Sequence, residues 1–330
     1  MKKLLLILLT FMTHLVFAND TYFYMAGGNL LPTKENDISV EMKDETILLN
    51  LQENYYEVTV DFKFYNSGET LELEVGFPFF SEGIGGNGKI WDYKCWTNGS
   101  ETAYIKTPLE KKWSTPNGLE YANVRKIKFP KNAYTTTRVQ YKSEYGRIAP
   151  SSQTANYLYG TGLSWKGKIG KINLIIDNNI LYSILYNVYM ENRESIIKTF
   201  EKTKDNRYET TLFNIEPEKY EAVFEIELTD VLGDDGPKGF PAYFNFNKYI
   251  VDKDCFIWYS KEQLRLVRNA IYALHGYSFK SKDLQEYFNK VGRNWNPPYK
   301  ENPNFSESDF SEIERTNINN LLEEEKRRDK

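Results

Sequence analysis

Histidine and cysteine are scarce in this sequence of 330 residues, and the two scarcities exclude more chemistry than any motif adds. The histidines are His14 and His275, and only the second lies outside the N-terminal apolar stretch. A Ser-His-Asp or Cys-His arrangement would have to rest on His275 alone, and no G-x-S-x-G is present. Catalytic zinc commonly takes two or three histidines, so a His-rich zinc centre is excluded by count. Cys95 and Cys255 sit in no nucleophile or metal spacing. They leave two readings open: two buried thiols, or one bridge across a long loop that would contribute roughly 5 kcal/mol. The Gly-rich stretch Gly83-Ile84-Gly85-Gly86-Asn87 lacks the Lys-Ser/Thr ending of a phosphate loop. Leu232-Gly233-Asp234-Asp235-Gly236 lacks the alternating ligands of a calcium loop and reads as a solvated turn. No catalytic residue, metal ligand or cofactor is expected.

Long apolar runs are missing as well, except at the start. Met1-Lys2-Lys3, the apolar Leu4–Leu9 with Phe11 and Met12, and Val16-Phe17-Ala18 together have the three parts of a cleaved signal peptide. His14 and two threonines make the stretch short for a span of about 20 apolar residues. No Cys follows the expected cut, so a lipid anchor is not expected. Removal of residues 1–18 takes Lys2 and Lys3 and leaves 40 basic residues against 46 acidic, a formal charge of −6. That balance excludes nucleic acid and anionic lipid as main partners, because both demand clustered cations. The expected location is extracytoplasmic, in the periplasm or at the cell surface, with no membrane span in the mature chain.

From Asn19 to Tyr249 the pattern is β. Tyr56, Val58, Val60, Phe62 and Phe64 alternate with Glu57, Thr59, Asp61 and Lys63, which gives one apolar face. Leu71, Leu73, Val75 and Phe77 alternate likewise after Asn66-Ser67-Gly68, and the two runs read as a hairpin. Further strands are expected at 123–129, 137–143, 170–176, 180–189, 195–202, 207–213 and 220–228. Near residue 250 the period changes. Ser260 with Gln263 forms a capping box ahead of Leu264, Val267, Ile271 and Leu274, and Gly276 marks the stop. Ser281 can cap a second helix carrying Leu284, Tyr287 and Phe288. A third starts near Ser308, turns Phe310, Ile313, Ile318 and Leu321 inward, and dissolves into a solvated end at Glu323–Lys330. The fold class is therefore α+β and multidomain: a signal peptide (1–18), an antiparallel β-sandwich, or two in tandem (19–249), and a small all-α domain (250–330).

The segment Ile271-Tyr272-Ala273-Leu274-His275-Gly276-Tyr277 resembles the signature of the YARHG domain family. The likeness continues through Phe279, Asp283-Leu284, Tyr287-Phe288, Trp295, Pro298, Asn302-Pro303-Asn304-Phe305, Glu314 and Asn317-Ile318, and covers about residues 250–325. Leu274 stands where the family's name has Arg, so an anion contact through that Arg is not expected. The resemblance implies a small extracytoplasmic module that binds at the cell surface rather than catalyses. The β region, through Gly27-Gly28-Asn29-Leu30-Leu31-Pro32, Asn36–Glu41, Phe77-Pro78, Tyr157–Gly162 and Trp165–Gly170, resembles the domain of unknown function 4424 family. Its members are exported β-rich proteins without an assigned activity.

His275 falls at a helix end, where an imidazole can hydrogen-bond free carbonyls. Tyr272, three residues earlier, shares its helix face. With Trp295 and Tyr299 they could line an aromatic groove for a cell-wall glycan or peptide, or for an envelope protein. The same aromatics could equally be the core that a small domain needs. The function expected is non-catalytic binding. Two other readings stay open: a glycan hydrolase working through paired carboxylates, which spacing in sequence cannot locate, and a surface-assembly subunit that exchanges edge strands.

Overall fold

The computed structural model describes residues 21–26, 29–32, 38–79, 90–108, 121–149, 152–190, 193–218, 222–232, 249–251, 253–295 and 297–328. The signal segment, the Gly-rich stretch 83–87 and all of the 232–236 turn after Leu232 lie outside them. The first strands are β1 (Thr21–Ala26), β2 (Asn29–Pro32), β3 (Val40–Leu51), β4 (Tyr56–Asn66), β5 (Leu71–Phe79) and β6 (Ile90–Thr97). Then come β7 (Ser100–Glu101), β8 (Ile105–Pro108), β9 (Tyr121–Phe129), β10 (Ala133–Ser143), β11 (Gly146–Ala149) and β12 (Ser152–Leu158). The last are β13 (Ile169–Asn178), β14 (Ser183–Tyr189), β15 (Glu201–Lys204), β16 (Arg207–Ile215) and β17 (Val223–Asp230). Three helices follow: α1 (Lys261–Leu274), α2 (Lys282–Val291) and α3 (Glu312–Arg327).

The strands form an eight-stranded sheet (β15-β16-β13-β3-β4-β10-β6-β7), a five-stranded sheet (β2-β1-β5-β9-β8) and a four-stranded sheet (β11-β12-β17-β14). The period-two pattern decides the faces. Val58, Val60, Phe62 and Phe64 of β4 turn inward with Val139 and Tyr141 of β10, while Thr59, Asp61, Arg138 and Gln140 turn outward. Both smaller sheets cover the inner face. Phe77 packs on Tyr141 at 5.2 Å from one, and Tyr157 of the other donates to the buried Glu45 carboxylate at 2.6 Å. A bulge between Met42 and Asp44 brings Glu45 to that inner face. Pairing is antiparallel except between β3 and β13, which run parallel.

The expected hairpin does not form. Tyr56–Asn66 pairs with β3 and β10 in the large sheet, whereas Leu71–Phe79 pairs with β1 and β9 in the five-stranded sheet. Asn66 makes the crossing. Its side chain is buried, and its amide donates to the carbonyls of Glu69 (2.8 Å) and Phe129 (2.9 Å). Its oxygen accepts from the Ser39 hydroxyl (2.5 Å) and the Gly68 N–H (3.0 Å). The residues that read as a turn thus satisfy a corner between two sheets. The strand expected at 195–202 is also corrected. A bridge at Ser195 and a 3-10 turn (Ile197–Thr199) occupy most of it, and only Glu201–Lys204 is strand.

In the helical layer the Ser260–Gln263 capping box is present. Ser281 caps α2 by position, but its side chain makes no capping hydrogen bond to the helix N–H groups. Helix α3 starts at Glu312 after its own box, Ser311 with Glu314, while Ser308 lies in a preceding 3-10 turn. Its end is solvated only in part: the side chains of Glu323 and Arg327 are 69% and 71% exposed, but others are not. Glu325 is buried and pairs with Arg268 (2.7 Å), and the Arg328 side chain is only 7% exposed. Arg328 donates to Asp205 (2.9 Å), to Glu324 (3.0 Å) and to the carbonyls of Phe256 (2.6 Å) and Tyr259. Asp205 belongs to the turn between β15 and β16 and also accepts from the Lys261 N–H at the start of α1 (3.0 Å). Lys202 donates to the Tyr259 carbonyl (2.8 Å), and burial, with Arg328 nearby, lowers its pKa to about 8. Apolar contacts complete the seam. Ile184, Val231 and Leu232 of the β region share one core with the helices, and Tyr182 stacks on Tyr287 at 4.9 Å.

Two stability predictions follow from these joints. Asn66→Leu leaves carbonyls and an N–H unpaired at the crossing, and urea denaturation is expected to show a loss of about 3 kcal/mol. Arg328→Met strips the seam of its guanidinium, at an expected loss of about 2 kcal/mol, because the Asp205 partner is part-exposed and screened. A melting curve unchanged from that of the parent chain would refute either assignment.

Candidate functional site

The expected site residues gather around the C-terminus of α1. There the chain makes a Schellman turn: the Tyr277 N–H bonds the Tyr272 carbonyl (3.1 Å) and the Gly276 N–H bonds that of Ala273 (2.9 Å). Gly276 has φ +77°, and a Cβ on it would meet the Lys300 carbonyl at 2.6 Å, so only glycine fits. The Asn302 N–H bonds the Gly276 carbonyl (2.7 Å) and straps the segment after α2 against the helix end. Tyr272, His275 and Tyr277 are thereby held together, all half-buried.

His275 does not turn back to the helix carbonyls. Its Nε2 lies 2.8 Å from Glu314 Oε1, and its ring stands edge-on to Phe310 at 4.9 Å. Glu314 is almost fully buried and also accepts from the Ser311 N–H at 2.8 Å. Burial pushes the Glu314 carboxyl up, but His275 and Ser311 pull it further down, and it ends below the ordinary value of 4.5. One carboxylate therefore caps α3 and anchors the end of α1.

Around this pair Tyr272 packs on Phe310 (4.9 Å) and Tyr277 (5.5 Å), and Tyr277 packs on Phe305 (5.1 Å). Tyr299 joins from the far side, where its hydroxyl donates to the Tyr277 carbonyl at 2.8 Å. Trp295 is buried and edge-on to Phe288 at 6.0 Å, which makes it a core residue. Of the four expected groove residues, Tyr272, His275 and Tyr299 thus border one half-exposed patch, and Trp295 lies beneath it. Tyr277 and Phe305 belong to the patch and were not among the expected residues. The signal for Tyr277 is its place directly after the C-cap glycine, where a hydrophobic side chain regularly folds back on the last helical turn.

Cys95 is buried, and its Sγ donates to the Thr102 carbonyl at 3.2 Å. The Cys255 side chain lies outside the described residues, so the proposed bridge does too. Among the described residues no group of three or more His, Cys, Asp or Glu could hold a metal ion, and no helix is long and apolar enough to cross a membrane.

The family model of the YARHG domain matches residues 242–326, which include α1, α2 and nearly all of α3. A comparison with curated proteins finds no match. Among solved structures, the chain is similar to a Legionella pneumophila protein whose proposed role is nutrient binding, with 17% identity and a TM-score of 0.50. That likeness covers 94% of this chain and 97% of the other, so the β region and the helical end recur together as one fold. An M1 zinc metallopeptidase of Deinococcus radiodurans is 9% identical over 60% of this chain and 44% of its own, at a TM-score of 0.33. Yeast LTA4 hydrolase is 11% identical over 57% and 29%, at 0.32. Fold and match together define a β-rich protein whose C-terminal residues 242–326 match the YARHG domain.

The buried pair makes stability pH-dependent. Because the folded Glu314 carboxyl titrates below 4.5, its contribution is complete above that value and is lost as the pH falls through the folded pKa. The melting temperature of the chain is expected to drop more steeply below pH ~4.5 than that of Glu314→Gln, which starts lower and changes less. Parallel curves for the two proteins would show that Glu314 does not titrate in this way.

Proposed function

We propose that this is an extracytoplasmic, non-catalytic binding protein, made of a cleaved signal peptide (1–18), a β scaffold (19–249) and a helical module (250–330). The module docks an envelope ligand through the patch of Tyr272, His275, Tyr277, Tyr299 and Phe305, and peptidoglycan is the first occupant to test. The half-exposed aromatic patch carries this reading. Its rings are already fixed by the Schellman turn, the Asn302 strap and the His275–Glu314 pair, so a ligand would have little ordering cost to meet. Amphipathic rings of this kind bury apolar area while keeping a polar edge in water. The YARHG match and the fold shared with a protein of proposed nutrient-binding role support a binding role rather than an activity.

Co-sedimentation with insoluble peptidoglycan sacculi tests it. The exported chain is expected to pellet with the sacculi. Tyr272→Ala is expected to lower the apparent affinity about tenfold, equivalent to 1.4 kcal/mol, while its melting temperature stays within a few degrees. A chain that stays in the supernatant would set the cell wall aside and direct the search for the patch's occupant to envelope proteins.

A further inference from the structure

We propose that the outer face of β4, β10 and β6 is a second binding site, one that takes an uncharged oligosaccharide. Two shallow hollows lie side by side on this face, of about 470 and 480 Å³, and Gln140 lines both. They follow β10 from Thr136 to Lys142, roughly 20 Å at about 3.4 Å per residue, the length of several linked sugar rings. Aromatic side chains stand at both ends. Trp96 is half-exposed opposite Arg138 at one end. At the other, Trp91 packs edge-on to Tyr55 at 5.9 Å.

Charge decides the occupant. The hollows are lined by three carboxylates (Glu57, Asp61, Asp92) and three cations (Lys94, Arg138, Lys142), so they carry no net charge. The charges are mostly spent on one another. Arg138 holds Asp61 through two parallel hydrogen bonds of 2.7 and 2.8 Å, and Lys142 holds Asp92 at 2.9 Å. An anionic or cationic ligand would have to break such pairs, and nucleic acid finds no excess of cations. Hydroxyl groups break none of them. Each is both donor and acceptor, and a vicinal pair can meet the free lone pairs of Asp61 beside the remaining N–H groups of Arg138. Gln140, which donates to the Thr59 hydroxyl at 3.1 Å, presents its oxygen to the same line. The indole of Trp96, which lines one hollow, suits the C–H face of a sugar ring. A protein partner is a poorer fit, because stable interfaces keep charge out of their centre and this face has charged pairs there.

The site is separate from the aromatic patch of the helices, so the two can fail independently. Calorimetric titration of the full chain with uncharged tetrasaccharides of glucose (α-1,4 and β-1,4 linked) and of N-acetylglucosamine tests it, with a galacturonic acid tetrasaccharide as the anionic control. At least one uncharged probe is expected to bind at millimolar concentration or below and to perturb the Trp emission. Trp96→Ala is expected to weaken it at least tenfold, and Gln140→Ala, at an exposed position where folding is not at risk, several-fold. Tyr272→Ala is expected to leave it unchanged. The proposal is overturned if no uncharged probe binds, if binding survives both sheet variants, if the galacturonate binds more tightly, or if only Tyr272→Ala abolishes binding.

Discussion

A guanidinium removed from water needs an acceptor for its N–H groups, and the arrangement around Arg328 is built on that requirement. Its acceptors come from three parts of the chain: Glu324 in its own helix, the carbonyls of Phe256 and Tyr259 in the segment leading into α1, and Asp205 in the turn of the edge hairpin β15–β16. Leaving one such group unmatched in a buried site costs several kcal/mol, so the hairpin, the start of α1 and the end of α3 must settle together. Asp205 extends the constraint through the Lys261 N–H, and Gln263 extends it further by donating to the carbonyls of Ile180 and Ser183 at 2.8 Å. Ile184, Val231 and Leu232 then share one core with the helices. The helical end is a layer of the molecule as much as a module attached to it.

Local chemistry made the helical part legible. Capping boxes, the glycine stop and the helical period are each written within a few residues, and α1 lies where Ser260, Gln263 and Gly276 put it. The end of α3 was misread for a related reason. Glu323–Lys330 is all polar or charged, and polarity reads as solvation unless the partners are known. Those of Glu325 and Arg328 lie 57 and 123 residues away in sequence, at Arg268 and Asp205. Likewise the imidazole of His275 was expected at the carbonyls of its own helix and is taken by Glu314, which only the packing of α3 on α1 brings near.

In the β region, strands were legible and their neighbours were not. Alternation tells which residues share a face, and the faces of β4 and β10 agree with it, as does β13 from Lys171 on. It does not tell which strand lies alongside. Asn66-Ser67-Gly68 has the composition of a tight turn, but the tight turn competes with a buried crossing in which Asn66 makes four hydrogen bonds, and the crossing wins. The same gap hid the parallel pairing of β3 with β13, since a parallel neighbour leaves no nearby turn signal.

The two proposed surfaces differ in legibility for the same reason. Tyr272 and His275 share a helix face by spacing, and with Tyr299 three of the five patch residues were expected from the sequence, whereas Tyr277 and Phe305 reach it through the turn and the strap. Of the outer sheet face only the polar side of β4 could be read, not the strands beside it. Asp61 and Arg138 are 77 residues apart and become a bidentate pair only through the register of β4 with β10. That register leaves matched charges on a face that no other part of the described chain needs for its core. A polar face kept open on one side of the largest sheet, and an aromatic patch fixed at the far end of the helices, give this fold two surfaces of different chemistry. Because the Arg328 seam holds the helical layer to the edge of that sheet, the distance between the two surfaces is set by the fold rather than by a linker.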